Sequence, residues 1–300
     1  MYYIVYGLLY LVSLLPFFIL YAISDLAFVI LYYIIGYRRK IVMTNLTIAF
    51  PEKTLNEREV IMRRFYRNLC DTFIETIKLI SISQKELTKR AFVSNRVFHE
   101  LEEKGLTMQV YSGHQMNWEY ANLALPKGLS IPWITIYMHI NNATTNRLFK
   151  KIRSRFNVVL ISAGDFSKSI RSYYGRQYAL GLVADQNPGI PKNAYWLYFF
   201  GKAAPFPSGH EKSAIRNKTA VVFVNMVKLK RGYYRFDPEL ITENASGMQD
   251  GHLTLLYRDF LETIISKQPE TYLWSHRRWK VPYSPEVARR WIDVKEAPVS

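Results

Sequence analysis

Hydrophobic and polar positions divide this chain into three stretches of different period. The first has none: residues 2–23 carry no charge, and at about 1.5 Å per helical residue they can cross a hydrocarbon core of roughly 30 Å. Pro16 bends this run and the Ser24-Asp25 pair breaks it. A second apolar run, 26–35, is too short to span alone and stops at Gly36, ahead of Arg38-Arg39-Lys40. It fits either an interfacial position or the continuation of a bent anchor. Tyrosines at 2, 3, 6, 10, 21, 32 and 33 suit the interface, where an apolar ring with a polar tip is favoured.

The second stretch has the period of a helix. Val60, Ile61, Phe65, Leu69, Phe73, Ile77 and Ile80 recur with charges between them, which predicts one amphipathic helix over 57–80 capped by Asn56, its apolar face packed on the core. Beyond Lys89 the pattern changes to short apolar runs at 107–111, 158–161, 178–184, 196–200, 221–227 and 233–236, separated by helix-length pieces. Strands alternating with helices predict an α/β fold with a central mixed sheet flanked by helices. Residues 254–265 read as the last long helix, followed by an irregular basic tail. The expected organisation is an N-terminal membrane anchor over 1–36 and one domain over 37–300, of which 37–90 is a helical lead-in.

Composition narrows the function. The chain has 300 residues, 49% of them hydrophobic, enough for one sizeable core plus an apolar appendage. The single cysteine, Cys70, excludes an intrachain disulfide and a thiolate cluster and fits a reducing, cytoplasmic setting. A formal charge of +16 calls for an anionic partner: phospholipid headgroups, a phosphorylated substrate or acidic carrier, or nucleic acid. The bases are dispersed and no finger or RNA-binding signature joins them, so nucleic acid is the weakest of the three. A cleaved signal peptide is disfavoured by the absence of a basic start and by the poor cleavage sequence Ala22-Ile23-Ser24-Asp25. The basic triplet after Gly36 places the rest of the chain on the cytoplasmic side.

Candidate chemistry sits in Gly113-His114-Gln115-Met116-Asn117-Trp118-Glu119. His114 follows a predicted strand and precedes a helix starting near Asn117, the corner where an α/β sheet presents reactive groups. Five helical residues rotate by roughly 500°, so the pair would point apart on one regular helix; His114 must stand in the loop with Glu119 reaching back. The Glu119 carboxylate would then accept a hydrogen bond from one imidazole nitrogen and make the other a base for a substrate hydroxyl. On spacing alone, a loop histidine beside an exposed glutamate is the alternative. No Gly-x-Ser-x-Gly elbow is present, so direct attack by the acceptor hydroxyl on a thioester is the more economical route. His99, His139, His210 and His252 have no partners at metal-ligand spacing and read as structural or exposed; no metal or organic cofactor is called for.

Further motifs accompany this one: Arg39-x5-Asn45-Leu46 with Ala49-Phe50-Pro51, Arg155 before a strand, Ala184-Asp185-Gln186, Phe199-Phe200-Gly201-Lys202, Phe206-Pro207-x-Gly209 and His276-Arg277-Arg278-Trp279-Lys280. In order and spacing, over nearly the whole chain, they resemble the late acyltransferases of lipid A biosynthesis, the lauroyl and myristoyl transferase family, within the glycerolipid acyltransferases that carry His-x4-Asp/Glu. The resemblance implies a glycerolipid-acyltransferase-like fold and transfer of a fatty acyl chain from acyl carrier protein to a hydroxyl of a lipid A precursor, at the cytoplasmic face of the inner membrane. It implies His114 as general base with Glu119 as its partner, Arg155 and Asp185 lining the reaction centre, and Gln186 and Lys202 as contacts to polar substrate groups. For Arg155 and Asp185 an ion pair at strand ends is the equal alternative. The tail 276–280 either holds acceptor phosphates or packs through its tryptophans. After Lys218 the chain departs from its relatives, with Thr219-Ala220-Val221-Val222-Phe223-Val224-Asn225 where they tend to have prolines, which leaves acyl length and acceptor open. An amino-acid lipid or lysophospholipid acceptor is the nearest alternative, and a non-catalytic membrane-attached binding protein is the alternative of another class.

Overall fold

The computed structural model of the chain describes residues 1–298. Its helices are α1 (Tyr2–Leu14), α2 (Phe17–Val29), α3 (Arg39–Ala49), α4 (Leu55–Lys78), α5 (Gln84–Arg90), α6 (Arg96–Glu103), α7 (Trp118–Ala124), α8 (Ala143–Arg153), α9 (Phe166–Ser169), α10 (Gly209–Asn217) and α11 (His252–Lys267). Its strands are β1 (Ala91–Val93), β2 (Met108–Ser112), β3 (Trp133–Tyr137), β4 (Val158–Ser162), β5 (Ala179–Val183), β6 (Tyr195–Phe199), β7 (Lys202–Phe206), β8 (Ala220–Lys230) and β9 (Tyr233–Thr242). Seven strands form one mixed sheet in the order β1-β9-β8-β2-β5-β3-β4, and β6 and β7 form a separate antiparallel hairpin. From β8 to β4 every pairing is parallel, so these strands deliver their C-terminal ends to one edge of the sheet.

The α/β architecture read from the sequence is correct, with differences in its details. Strands β1, β3 and β7 lie outside the predicted runs, and the 196–200 run belongs to the hairpin rather than to the main sheet. Thr54, not Asn56, caps α4. Its hydroxyl accepts from the Glu57 N–H at 3.3 Å and the Glu57 carboxylate accepts from the Thr54 N–H at 2.7 Å, a reciprocal capping box. Val60 and Phe73, placed on the buried face by spacing, are exposed.

The N-terminal run breaks at Leu15-Pro16 and not at Ser24-Asp25. Pro16 lacks the N–H that would continue α1. A helix of 13 residues, about 20 Å long, is too short to span. Instead α2 runs through Ser24 and Asp25 and continues as a wider π turn to Ile35, so Phe17–Ile35 is long and apolar enough to cross a membrane. The two polar residues are tolerated because each has a partner. Ser24 donates to Asp71 Oδ1 on α4 at 2.8 Å, and Arg231, in the β8–β9 turn, holds Asp25 at 2.8 Å. Leu20, Ser24, Phe28 and Tyr32 form the buried stripe of this helix, while Phe18, Ile23, Leu26, Ile30 and Ile34 face outward. At the end of α1, Lys78 Nζ and Ser81 Oγ satisfy the carbonyls of Ser13 and Leu15.

One buried carboxyl joins these parts. Glu75 on α4 accepts from the Tyr21 hydroxyl of α2 at 2.9 Å, the Tyr234 hydroxyl of β9 at 2.7 Å and the Asn117 amide at 2.8 Å. Burial pushes its pKa above the ordinary carboxylate value, against the pull of Tyr234 and Asn117. Replacing Glu75 by Ala leaves three donors without an acceptor, at about 1–3 kcal/mol each. The thermal midpoint of the detergent-solubilised Glu75→Ala protein should therefore fall by roughly 10 °C, and that of Glu75→Gln by less. Equal midpoints for parent and both variants in a calorimetric scan would show that the carboxyl does not hold these elements together.

Candidate active site

Strands β2 and β5 are parallel neighbours in register, Ser112 opposite Val183, so Gly113-His114 and Ala184-Asp185 leave the sheet side by side. Tyr257 of α11 bridges the two ends: its hydroxyl donates to the Ser112 carbonyl at 2.6 Å and accepts from the Ala184 N–H at 3.4 Å. Gly113 allows α11 to approach, since a Cβ there would lie 2.8 Å from Leu261 Cδ2.

Asp185 then receives two hydrogen bonds from one residue. The backbone N–H of His114 donates to Oδ2 at 2.8 Å, and its ring Nδ1 meets Oδ1 at 2.6 Å. The second contact assigns the proton to Nδ1 and leaves Nε2 as the unprotonated nitrogen, with no protein partner among the described residues. Burial alone would raise the Asp185 carboxyl, but electrostatic attraction to the His114 ring and the two hydrogen bonds from His114 outweigh it and hold its pKa below the ordinary value. The side chain of His114 keeps 20% of its surface exposed, at a cavity of about 780 Å³ whose wall also includes Trp118, Glu119, Arg153, Gln186 and Asn187.

The sequence reading paired His114 with Glu119; the structure gives that position to Asp185. Glu119 is 3% exposed, and its carboxylate is taken up by Arg153 at the end of α8, with Arg153 Nε 3.0 Å from Oε2 and 3.1 Å from Oε1. The Trp118 indole donates to the same carboxylate at 3.1 Å. Asn117 sets the direction of this helix: its side-chain oxygen accepts the N–H groups of Glu119 and Tyr120 at 3.0 and 3.1 Å while its amide is held by Glu75. Gln186 lies in the cavity wall. Arg155 does not: its guanidinium bonds the carbonyls of Leu79 and Ile82, the latter at 2.7 Å, and closes the end of α4. Lys202 is exposed at the start of β7, outside the cavity wall, and its carbonyl accepts from the Trp279 indole.

Two residues of this cavity were missed in sequence. Arg153 stands two positions from the arginine singled out, in the last turn of α8 and therefore one register off the motif. His210 is buried with neither ring nitrogen bonded, and burial lowers its pKa to about 4. A lone histidine without spaced partners carries no signal of this. The wall deepens along β2, β5 and β3 into apolar surface that includes Trp133, Ile136 and Leu182. Gly181 sits 3.1 Å from the Trp133 ring, measured from where a Cβ would be, so the indole lies against bare backbone. Residues 220–225 form the start of β8, and residues 219–225 contribute nothing to this wall.

The basic tail folds back behind the site. Arg278 is 1% exposed, over the rings of Phe206 at 4.3 Å and Phe199 at 5.2 Å, and donates to Asn187 Oδ1 at 2.9 Å. Asn45 of α3 donates to the carbonyls of Trp274 and His276, both at 2.7 Å. Packing is therefore what the structure shows for the centre of this segment.

A family model described as bacterial lipid A biosynthesis acyltransferase matches residues 1–281. The chain is 24% identical over 255 residues, 81% of its length, to a lipid A biosynthesis palmitoleoyltransferase of Escherichia coli (strain K12), covering 79% of that protein. A lipid A biosynthesis acyltransferase of Shigella flexneri matches with the same identity and coverage. With a parallel-strand edge that presents a carboxylate-held histidine to an apolar cavity, and a family match over nearly all of its length, this chain belongs to the bacterial lipid A biosynthesis acyltransferases and is an acyltransferase.

Proposed function

We propose that the protein transfers a fatty acyl chain from an acyl thioester, carried by acyl carrier protein, to a hydroxyl of a lipid A precursor at the cytoplasmic face of the inner membrane. The observation that carries this reading is His114, fixed through Nδ1 by buried Asp185 and open at Nε2 to a cavity of about 780 Å³. Nε2 takes the proton of the acceptor hydroxyl as its oxygen attacks the thioester carbonyl. The tetrahedral intermediate collapses with loss of the thiolate, which receives the proton from the imidazolium. Asp185 keeps the tautomer and stabilises the charge that forms on the ring. Glu119 acts through Arg153: held by two nitrogens, the guanidinium keeps Nη1 without a protein partner among the described residues, available to the oxyanion. The apolar depth of the cavity fits the hydrocarbon of the donor, and the +16 charge fits an acidic carrier and anionic lipids. Gln186 is the polar contact nearest in sequence to Asp185.

With acyl carrier protein thioesters and a lipid A precursor, read by mass spectrometry, His114→Ala and Asp185→Asn should each lower the transfer rate by about 10²–10⁴-fold while the protein stays folded. Transfer by the parent to another lipid alone would move the acceptor to an amino-acid lipid or lysophospholipid, and unchanged function in His114→Ala would support a binding protein instead.

Because Glu119 is assigned its effect through Arg153, Glu119→Ala, Arg153→Ala and the double variant should lose similar amounts of activity, whereas independent roles give multiplied losses. A double variant at the product of the two single effects contradicts the assignment.

The depressed pKa of Asp185 sets a sign for stability. A carboxyl with a folded pKa below its unfolded value of about 3.9 contributes stability that is complete above that pH and is lost as pH falls through the folded value. Between about pH 5 and pH 3 the thermal midpoint of the parent should fall more steeply than that of Asp185→Asn; parallel curves would show that the carboxylate gains nothing from His114.

A further inference from the structure

A second cavity, of about 360 Å³, opens where α2, α4 and the β8–β9 turn meet. Its floor is an ion-pair network. Arg231 holds Asp71 at 2.7 Å and Asp25 at 2.8 Å, and Lys228 bonds Asn68 at 2.6 Å with Asp71 at 3.5 Å. The turn is pressed onto α2: Gly232 has φ +75°, and a Cβ there would stand 2.0 Å from the Tyr21 hydroxyl oxygen, so only glycine fits. With Asp25 and Asp71 neutralised, the walls still carry Arg64, Arg67 and Lys230, all exposed and without a carboxylate partner among the described residues, against one unpaired carboxylate, Glu270. Arg67 is steadied over the Phe28 ring and Lys230 over that of Tyr233.

What adjoins the cations decides what they hold. Leu229 in the cavity wall is 54% exposed, and the outward face of α2 beside Asp25 shows Leu26 at 61% and Ile30 at 39%. Unpaired cations beside the middle of an apolar helix that is exposed along its outward face match the division within a lipid, an anionic phosphate joined to hydrocarbon, where that helix lies along the lipid–water boundary. We propose that this cavity binds the phosphate of an anionic bilayer phospholipid, with Arg64, Arg67 and Lys230 on the phosphate oxygens and the acyl chains along the outward face of α2. The site is separate from the cavity at His114. It rests on α2 lying along the lipid–water boundary, with its outward face in the acyl chains, and not on the reaction assigned to His114.

The full-length protein, the triple variant Arg64→Gln, Arg67→Gln, Lys230→Gln, and a charge-matched control with Lys168→Gln, Arg171→Gln and Arg216→Gln test it. Each is floated with vesicles of phosphatidylcholine alone or mixed with phosphatidylglycerol, and each is assayed for acyl transfer in detergent. The parent and the control should prefer the phosphatidylglycerol vesicles by at least about tenfold, less at high salt, and the triple variant should lose that preference while its kcat and KM in detergent stay unchanged. An undiminished preference in the triple variant, or an equal loss in the control, overturns the site. A raised KM for the acceptor in detergent means that the phosphate belongs to the acceptor, and abolition of the preference by millimolar inorganic phosphate means that the cavity takes the free ion; either result also overturns it. A protein inactive on every lipid leaves the flotation result standing, so failure of the enzymatic reading is read separately.

Discussion

The turn that follows His114 is tied to the rest of the fold through the carboxyl of Glu75. It lies at 0% exposure, where an unbonded carboxyl would cost several kcal/mol, and its three donors come from α2, β9 and the turn after His114. The donor from that turn is Asn117, whose other side-chain atom caps α7 and so aims Glu119 at Arg153. A single polar group thus links the N-terminal helices, the far side of the sheet and the helix bearing half of the His-x4-Glu motif. Hydrophobic contacts alone would let these elements slide, because burial free energy has no direction. The buried carboxyl supplies the direction.

The register between β2 and β5 supplies the rest. His114 and Asp185 stand 71 residues apart in sequence but two positions past a matched pair, Ser112 and Val183. The His114 corner was legible from the chain because a strand, a glycine and a capped helix leave local signals. Its partner was not, because proximity in sequence favoured Glu119 and pairing order in a parallel sheet is a long-range property. The same limit explains Arg155: both it and Arg153 precede β4, and only the last turn of α8 decides which guanidinium enters the cavity and which closes the end of α4. Strand β3 has β-branched and aromatic residues but follows Ser130-Ile131-Pro132 without a clear alternation, so its place between β5 and β4 was lost, and with it the Trp133 wall of the cavity.

Polar residues inside the apolar N-terminus were also read too locally. Ser24 and Asp25 looked like a break because an unpaired Asp costs a helix in an apolar setting several kcal/mol. In the folded chain they are the attachment: Asp71 and Arg231 reach them from α4 and the β8–β9 turn, and the helix continues. The break falls where local chemistry is absolute, at Pro16, which has no N–H to give. Partners from far along the chain can rescue a charge but not a missing donor.

The same reasoning accounts for the tail. Three bases and a histidine within five residues read equally as a phosphate grip or as packing. Arg278 decides for packing at the centre because a guanidinium at 1% exposure has given up its water and can release no counterion to a ligand. Its energy comes from two aromatic faces and from Asn187, and burial lowers its pKa. Asn187 follows Gln186 and Asp185 directly, so the arginine acts on the loop that carries the partner of His114. Asn45 fastens the backbone on either side of the turn. The motifs at 39–45, 184–186 and 276–280 therefore belong to one support: α3 holds the tail, the tail holds Asn187, and the loop of Asn187 holds the imidazole.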